Sequence, residues 1–426
     1  MITLLKFILK YLARATVNKY QPLVVGITGS IGKTSVRQAV SQVVSKKYRV
    51  NFSSKNLNNE IGLPLSVMNI ADSGYSSPLA WLVILGRALA QLIIKKNNYP
   101  QVLVLEYGVD HPGDMDYLLS IVKPRVGVLT AATASHLLFM GSEEGVLKEK
   151  AKLLAALPID GTAVLNAEDS RVLSLKNSLA CRVMTYGFKD GCVVRADNLT
   201  LAVQPSWGIN FKLSLEGNSL PILITGTVGE PAVLSYLAAV CVGLSLDLSP
   251  LTIVDNLKNF PLPLGRLRLL PGIKGTILLD DTYNSSPAAA VAALDALVRL
   301  PLSVNGRRWA ILGDMLELGQ ASEFWHGKVG EKVAAVGINY LVTVGSETRA
   351  LTRAAVAKGF NPDQAWHFPT SREAGLFVQD RLQAGDVVLI KGSQGMRCEK
   401  ITKELMAEPG RAQELLVRQS KKWLNS

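Results

Sequence analysis

Over positions 1–20, Lys6, Lys10 and Arg14 recur every fourth residue, while Leu4, Leu5, Phe7, Ile8, Leu9 and Leu12 fill the remaining positions. That spacing predicts an amphipathic helix with a basic stripe opposite a broad apolar face. From Leu23 the texture changes to continuous apolar runs at 23–27, 101–105, 125–130 and 163–166, each followed by turn residues and a helical pattern. Runs of this kind read as strands of a parallel sheet covered on both faces. Between 181 and 225 the pattern becomes short alternating stretches such as GINFKLSLEG, which predicts a small antiparallel patch attached to that sheet. Residues 261–275, rich in Pro, Gly and Arg, read as an interdomain connection. A second α/β series follows, with strands expected at 276–279, 308–312, 340–344 and 386–390, and 406–423 reads as a final charged helix.

A second apolar stretch, 79–94, is interrupted by Arg87 and Gln91 and is shorter than the roughly 20 residues a membrane span needs. Both it and the first helix are expected to pack on the protein core or on a partner. The chain has 426 residues, 48% hydrophobic and 19% charged, which excludes a disordered or fibrous protein. Its formal charge of +12 suits polyanions, a class that spans nucleotides, nucleic acids and acidic lipids. Cys181, Cys192, Cys241 and Cys398 are scattered and form no metal-site spacing, so they read as reduced thiols of a cytoplasmic protein.

The chemistry concentrates in VVGITGSIGKTSV, positions 24–36. A strand enters a loop carrying Gly26, Gly29 and Gly32, and a helix begins at Lys33-Thr34. Glycines let backbone N–H groups close around phosphate oxygens, the Lys33 ammonium neutralises phosphate charge, and the Thr34 hydroxyl can ligate Mg2+. The spacing is a variant of the usual phosphate-binding loop, since Ile27 stands where its first glycine would be. Glu106 ends the strand VLVLE and brings a carboxylate to the same sheet edge, a position from which an acid can hold Mg2+. His136 follows the strand at 125–130; standing alone, a histidine is more often structural than a ligand.

Together with NLNNEIGLPLSV, EYGVDHPGDMDYL, DDTYNSSP, LGDMLELG and IKGSQG, this loop resembles the Mur ligase family, ATP-dependent amide-forming enzymes of peptidoglycan synthesis. The order and spacing of the strings hold from about Leu23 to Leu405. LGDMLELG and NLNNEIG are most similar to the member that adds D-alanyl-D-alanine to a UDP-MurNAc-tripeptide. The resemblance implies that Gly29, Ser30, Gly32, Lys33, Thr34 and Ser35 bind ATP. It implies that Thr34, Glu106 and His136 ligate Mg2+, joined by Lys150 as a carbamate. Arg266 would reach the γ-phosphate, Asp281 and Asn284 would serve the ribose side, and Asn58, Asn59, Lys391 and Ser393 would meet the substrates. Two departures accompany the match. Only 25 residues precede Gly26, where relatives carry a uridine-nucleotide-binding domain. Pro231 and Ala232 stand where the family has a polar His-Asn or His-Gln pair.

The expected fold is α/β: an N-terminal helix (1–22), a central P-loop ATPase domain with a mostly parallel sheet and a small antiparallel patch (23–265), then a Rossmann-like C-terminal α/β domain (266–426). The expected reaction forms an amide through an acyl phosphate, with ATP and Mg2+, from a cell-wall precursor and D-Ala-D-Ala. No nucleic acid is expected, and residues 1–20 are left to a protein partner or a membrane surface. Two further readings stay open: an amide ligase of the same fold for another acid and amine, and a non-catalytic nucleotide-binding subunit.

Overall fold

The computed structural model describes residues 2–51, 57–70, 78–94, 97–203, 207–215, 217–258, 260 and 262–424; Asn56 of the NLNNEIG string and Pro261 lie outside them. Eight strands form the first sheet: β1 (Leu23–Thr28), β2 (Val102–Glu106), β3 (Val126–Leu129), β4 (Thr162–Asn166), β5 (Arg182–Gly187), β6 (Val194–Ala202), β7 (Gly208–Leu215) and β8 (Asn218–Thr225). Their order is β2-β1-β3-β4-β5-β6-β7-β8, with β1 paired in parallel to both β2 and β3. The order reverses at β1, so the carboxyl ends of β1, β2 and β3 open onto one crevice.

The continuous apolar runs have a direct cause. Val25 and Ile27 of β1 enter one core with Val36, Val40 and Leu237, while Val24 enters another with Leu9, Leu103 and Leu105. Helices Lys33–Val44 and Glu230–Ser245 cover the first face, and the first helix, Ile2–Tyr20, helps cover the second.

The stretch 181–225 differs from its expectation. β5 pairs in parallel with β4, and only β6, β7 and β8 run antiparallel, continuous with the same sheet. Alternating burial begins at β6, where one face meets solvent, whereas the last four residues of β5 are all buried.

The second sheet comprises β9 (Arg268–Pro271), β10 (Ile277–Asp281), β11 (Arg308–Gly313), β12 (Tyr340–Val344), β13 (Ala365–Phe368) and β14 (Val387–Lys391), in the order β13-β12-β11-β14-β10-β9. Two of these strands have no counterpart in the sequence reading. β9 lies inside the supposed connection and β13 is half-buried throughout; each has four residues at a sheet edge, where the apolar signal is weakest. The C-terminal tail is not one helix. A 3-10 turn at Pro409–Arg411 and short helices Ala412–Leu415 and Lys421–Leu424 are separated by extended Leu416 and by Arg418 at φ +59°.

The first helix is present, but its polarity is turned from the expected one. Leu9, Ala13 and Thr16 are fully buried, Lys6 pairs with Glu60 at 2.8 Å, and Lys10 sits over the Tyr117 ring. Two of the basic residues therefore border the body of the protein, while Leu4, Phe7 and Tyr11 face solvent. The second apolar stretch forms helix Pro78–Ile93, which buries Ile84, Ala88 and Gln91 and leaves its other side exposed. Among the described residues, no helix is long and apolar enough to cross a membrane.

Candidate active site

β1 delivers the chain into the loop 29–32 and on into helix Lys33–Val44. Gly29 has φ +146°, and a Cβ there would lie 1.9 Å from the Thr130 hydroxyl, so close packing on the β3 side demands glycine. Gly32 caps the helix in the left-handed region at φ +85°, and the first turn carries no acidic residue. That leaves a helix N-terminus whose dipole favours an anion. The Lys33 ammonium donates to the Gly29 carbonyl at 2.5 Å. Burial lowers its pKa first; Glu106 opposes that shift, and the Arg266 charge adds to it.

At the end of β2, Glu106 is buried and accepts from Arg37 Nε at 2.7 Å and from the Thr34 hydroxyl at 3.3 Å. The Thr34–Glu106 pair offers two hard oxygen donors beside the loop, the ligand type Mg2+ prefers, and Mg2+ completes its shell with phosphate and water oxygens. The donor set therefore fits that ion. His136 is held elsewhere. Its Nδ1 lies 2.7 Å from Glu317 of the second sheet's loops and its Nε2 3.4 Å from Asp110. The hydrogen bond with His136 holds the Glu317 carboxyl below its usual range. Among the described residues, no three His, Cys, Asp or Glu side chains converge as a metal cage.

Lys150, in helix Glu143–Ala155, is 1% exposed. Its pKa falls to about 7, through burial first and then the charge of Lys33. The lysine is therefore about half free amine near neutrality, set among the charges of Lys33, Asp110 and Glu149. Its neighbour Lys152 faces outward and pairs with Asp116 and Glu149.

The second domain contributes Arg266, whose guanidinium stacks over Tyr283 at 4.2 Å and whose buried Nε has no hydrogen-bond partner among the described residues. Gly265 before it turns at φ +66°, where a Cβ would meet the Tyr283 backbone at 2.9 Å. Ser30, Gly32, Lys33, Thr34, Asn58, Glu106 and His136 from one side, and Arg266, Asn284 and Ser393 from the other, line a cleft of about 570 Å³.

Several residues expected here sit behind the cleft. Lys391 is buried and donates to Asp281 at 2.6 Å and to the Asn284 carbonyl at 2.9 Å, tying β14 to β10. Asp281 also accepts from the Leu267 backbone at 3.2 Å. Asn59 accepts from the Gly62 N–H at 2.9 Å and so starts helix Gly62–Val67. Gly29 and Ser35 lie outside the cleft lining. Pro231 lines a separate cavity of about 410 Å³ with Asn166, Leu234 and Ala292, while Ala232 is buried.

Three cleft-lining residues escaped the sequence reading, Asp110, Glu317 and Trp423, as did Arg418, which ties the tail to Thr282 and Glu399. The first two stand in EYGVDHPGDMDYL and LGDMLELG, strings whose other acids hid them. The last two belong to the tail, whose helical reading hid its return to the site. Arg418 donates to the Thr282 carbonyl at 2.9 Å and to Glu399 at 3.2 Å, Arg397 donates to the Trp423 carbonyl at 2.7 Å, and Trp423 reaches the cleft wall. Glu399 is 1% exposed, so Arg418→Ala strips a buried carboxylate of one of its two arginines. A stability loss of about 3 kcal/mol is expected in urea unfolding.

The comparisons agree with this geometry. Residues 27–77 and 88–243 match the Mur ligase middle domain, and residues 265–394 match the Mur ligase glutamate ligase domain. The chain is 27% identical over 403 residues to the UDP-N-acetylmuramoyl-tripeptide–D-alanyl-D-alanine ligase of Bacillus subtilis, covering 94% of this chain and 79% of that one. MurF from Acinetobacter baumannii superposes with a TM-score of 0.77 at 25% identity, covering 93% and 79% of the two chains. The MurF ligase of Thermotoga maritima in complex with ADP shares the fold, with a TM-score of 0.77 at 23% identity over 93% and 82%. With both sheets matched and the phosphate-binding loop at their junction, the chain belongs to the Mur ligase family.

Proposed function

We propose that this protein is an ATP-dependent, ADP-forming ligase that joins D-alanyl-D-alanine to a UDP-MurNAc-tripeptide in peptidoglycan synthesis, in the cytoplasm. One observation carries the reading. Lys33 from the first domain and Arg266 from the second, its Nε unpartnered, converge on the same cleft behind a helix N-terminus. Two cations from different domains, brought together at a helix N-terminus, are the arrangement a polyphosphate would fill. Similarity to the Bacillus subtilis ligase supports the choice of substrates.

In this reading the chain divides as 1–22, 23–265 and 266–426. Lys33 and Arg266 hold the terminal phosphates, and Thr34 and Glu106 hold Mg2+, which would supply charge neutralisation there. The tripeptide carboxylate is phosphorylated to an acyl phosphate, and the amine of D-Ala-D-Ala then displaces phosphate to form the amide. The walls contributed by both domains keep water from the acyl phosphate. Asn58 and Ser393 sit on opposite walls, placed to contact the two substrates.

Phosphate release measured with ATP, Mg2+ and D-Ala-D-Ala, with and without the UDP-linked tripeptide, tests this. Release that requires both substrates is expected. Release independent of either one overturns the assignment.

A further inference from the structure

The first helix and helix Pro78–Ile93 lie side by side. Lys19 donates to the Gln91 and Leu92 carbonyls at 3.2 and 2.7 Å, and the Tyr20 hydroxyl donates to the Gln91 carbonyl at 3.0 Å. Leu9, Ala13, Ile84 and Ala88 enter one shared core, so the opposite faces of both helices point away from it.

Those outer faces are apolar. On the first helix, Leu4, Phe7, Tyr11 and Arg14 recur at three- and four-residue spacing, and the three apolar members are 64%, 57% and 51% exposed. On the second, Leu79, Leu82 and Ile93 are 70%, 65% and 82% exposed, with Arg87 exposed among them. Exposed apolar residues scattered singly need no explanation, but a stripe running along two packed helices does. None of these residues lines the cleft.

Charge indicates what covers the stripe. The first acidic residue in the chain is Glu60, and none occurs from Pro78 to Leu105, while Lys95 and Lys96 follow the second helix in sequence. Arg14 and Arg87 stand exposed within the stripes themselves. An apolar helix face with cations and no acids is the composition that settles into an anionic lipid interface, the apolar side chains entering the acyl boundary and the arginines meeting headgroup phosphates. Phe7 and Tyr11, with ring centroids 4.4 Å apart, form the aromatic pair suited to that depth.

We propose that the paired outer faces of helices Ile2–Tyr20 and Pro78–Ile93 form a docking surface for an anionic membrane, on which the protein lies without spanning it. The inference stands on this surface alone and does not depend on the reaction assigned to the cleft.

Co-sedimentation of the full chain with vesicles tests it, comparing phosphatidylglycerol–phosphatidylcholine mixtures with pure phosphatidylcholine at low and high salt. Binding to the anionic vesicles, weakened by salt and by removal of the anionic lipid, is expected. Arg87→Glu and the double variant Leu82→Ser/Ile93→Ser should each lower partitioning about tenfold, with thermal midpoints unchanged. Wild-type protein that stays in the supernatant with anionic vesicles overturns the proposal, as do variants that sediment like wild type. A concentration-dependent dimer that the double variant dissociates, with no vesicle binding, makes the surface a self-association face and also overturns it.

Discussion

Lys33→Ala is expected to lower turnover by at least about 10³-fold while leaving the fold intact. The two halves of that result have separate causes. In the folded protein Lys33 is desolvated and its pKa is lowered by burial, so the ammonium is held in place against its own solvation. Among the described residues its hydrogen bond is to the Gly29 carbonyl, within the loop itself. Removing the side chain relieves a buried charge, and Gly29 and Gly32 keep the loop in its conformation. Thermal unfolding of the variant should therefore stay close to wild type. Turnover should not, because the ammonium stands where the proposed phosphates carry their charge in a site screened from water. Loss of one such preorganised donor raises a barrier by about 3–4 kcal/mol or more. ATP-dependent phosphate release checks this, and a variant near wild type would remove the nucleotide from the cleft.

The phosphate-binding loop was legible because its physics is local. Glycines at positive φ, a lysine and a helix start are adjacent in sequence, and the structure keeps them adjacent in space. The parallel strands were legible for a similar reason, since a strand buried on both faces must be apolar at every position. What failed were features decided by partners distant in sequence. β9 and β13 are strands only because β10 and β12 accept them at the sheet edges. Lys391, inside the IKGSQG string, reads as a substrate-facing cation, and its ion pair with Asp281, 110 residues away, is a partner that no local pattern reveals. The charged tail satisfied the helical pattern, but Arg418 leaves it to reach Thr282 and Glu399, partners no spacing rule reveals. The basic stripe of the first helix was misread for the same reason: Glu60 and Tyr117 draw Lys6 and Lys10 inward.

Asp280 illustrates how the two domains differ in what they hold fixed. It is fully buried at the end of β10, accepts hydroxyl hydrogen bonds from Thr282 at 2.8 Å and Thr402 at 3.0 Å, and leaves Oδ2 without a partner among the described residues. Burial raises its pKa to about 6. The adjacent Asp281 is matched by Lys391 instead. The pair thus anchors the DDTYN turn from beneath, one acid through hydroxyls and the other through an ion pair. Tyr283, at the head of that turn, is then positioned to carry Arg266.

Lys150→Ala is expected to lose most activity, and short carboxylic acids such as acetate should restore part of it. A lysine ammonium beside Lys33 would repel Mg2+, so a buried lysine here makes chemical sense only if its charge is removed or reversed. The structure supplies the condition for that. Burial and the Lys33 charge bring the pKa to about 7, so near neutrality a large fraction is the free amine, whose nitrogen can attack CO2 and then lose a proton to give an N-carboxylate. The carbamate presents oxygen donors of the kind Mg2+ takes. The pH dependence follows from the sign of the shift. The folded pKa lies below the ordinary lysine value of 10.5, so protonating Lys150 opposes the folded state. The penalty is fully present below about pH 7 and is relieved as pH rises through the interval up to 10.5. Carbamate formation weakens over the same descent below pH 7, so wild-type activity should become more dependent on added bicarbonate as pH falls from 8 to 6. Lys152→Ala removes a pair with exposed Asp116 and one with buried Glu149, whose carboxylate keeps the Gly113 and Met115 N–H donors, and should remain within about twofold of wild type. Initial rates with and without CO2, compared across the three proteins, decide the question. A Lys150→Ala enzyme with wild-type rates in CO2-free buffer would mean that the free amine is only a buried packing element.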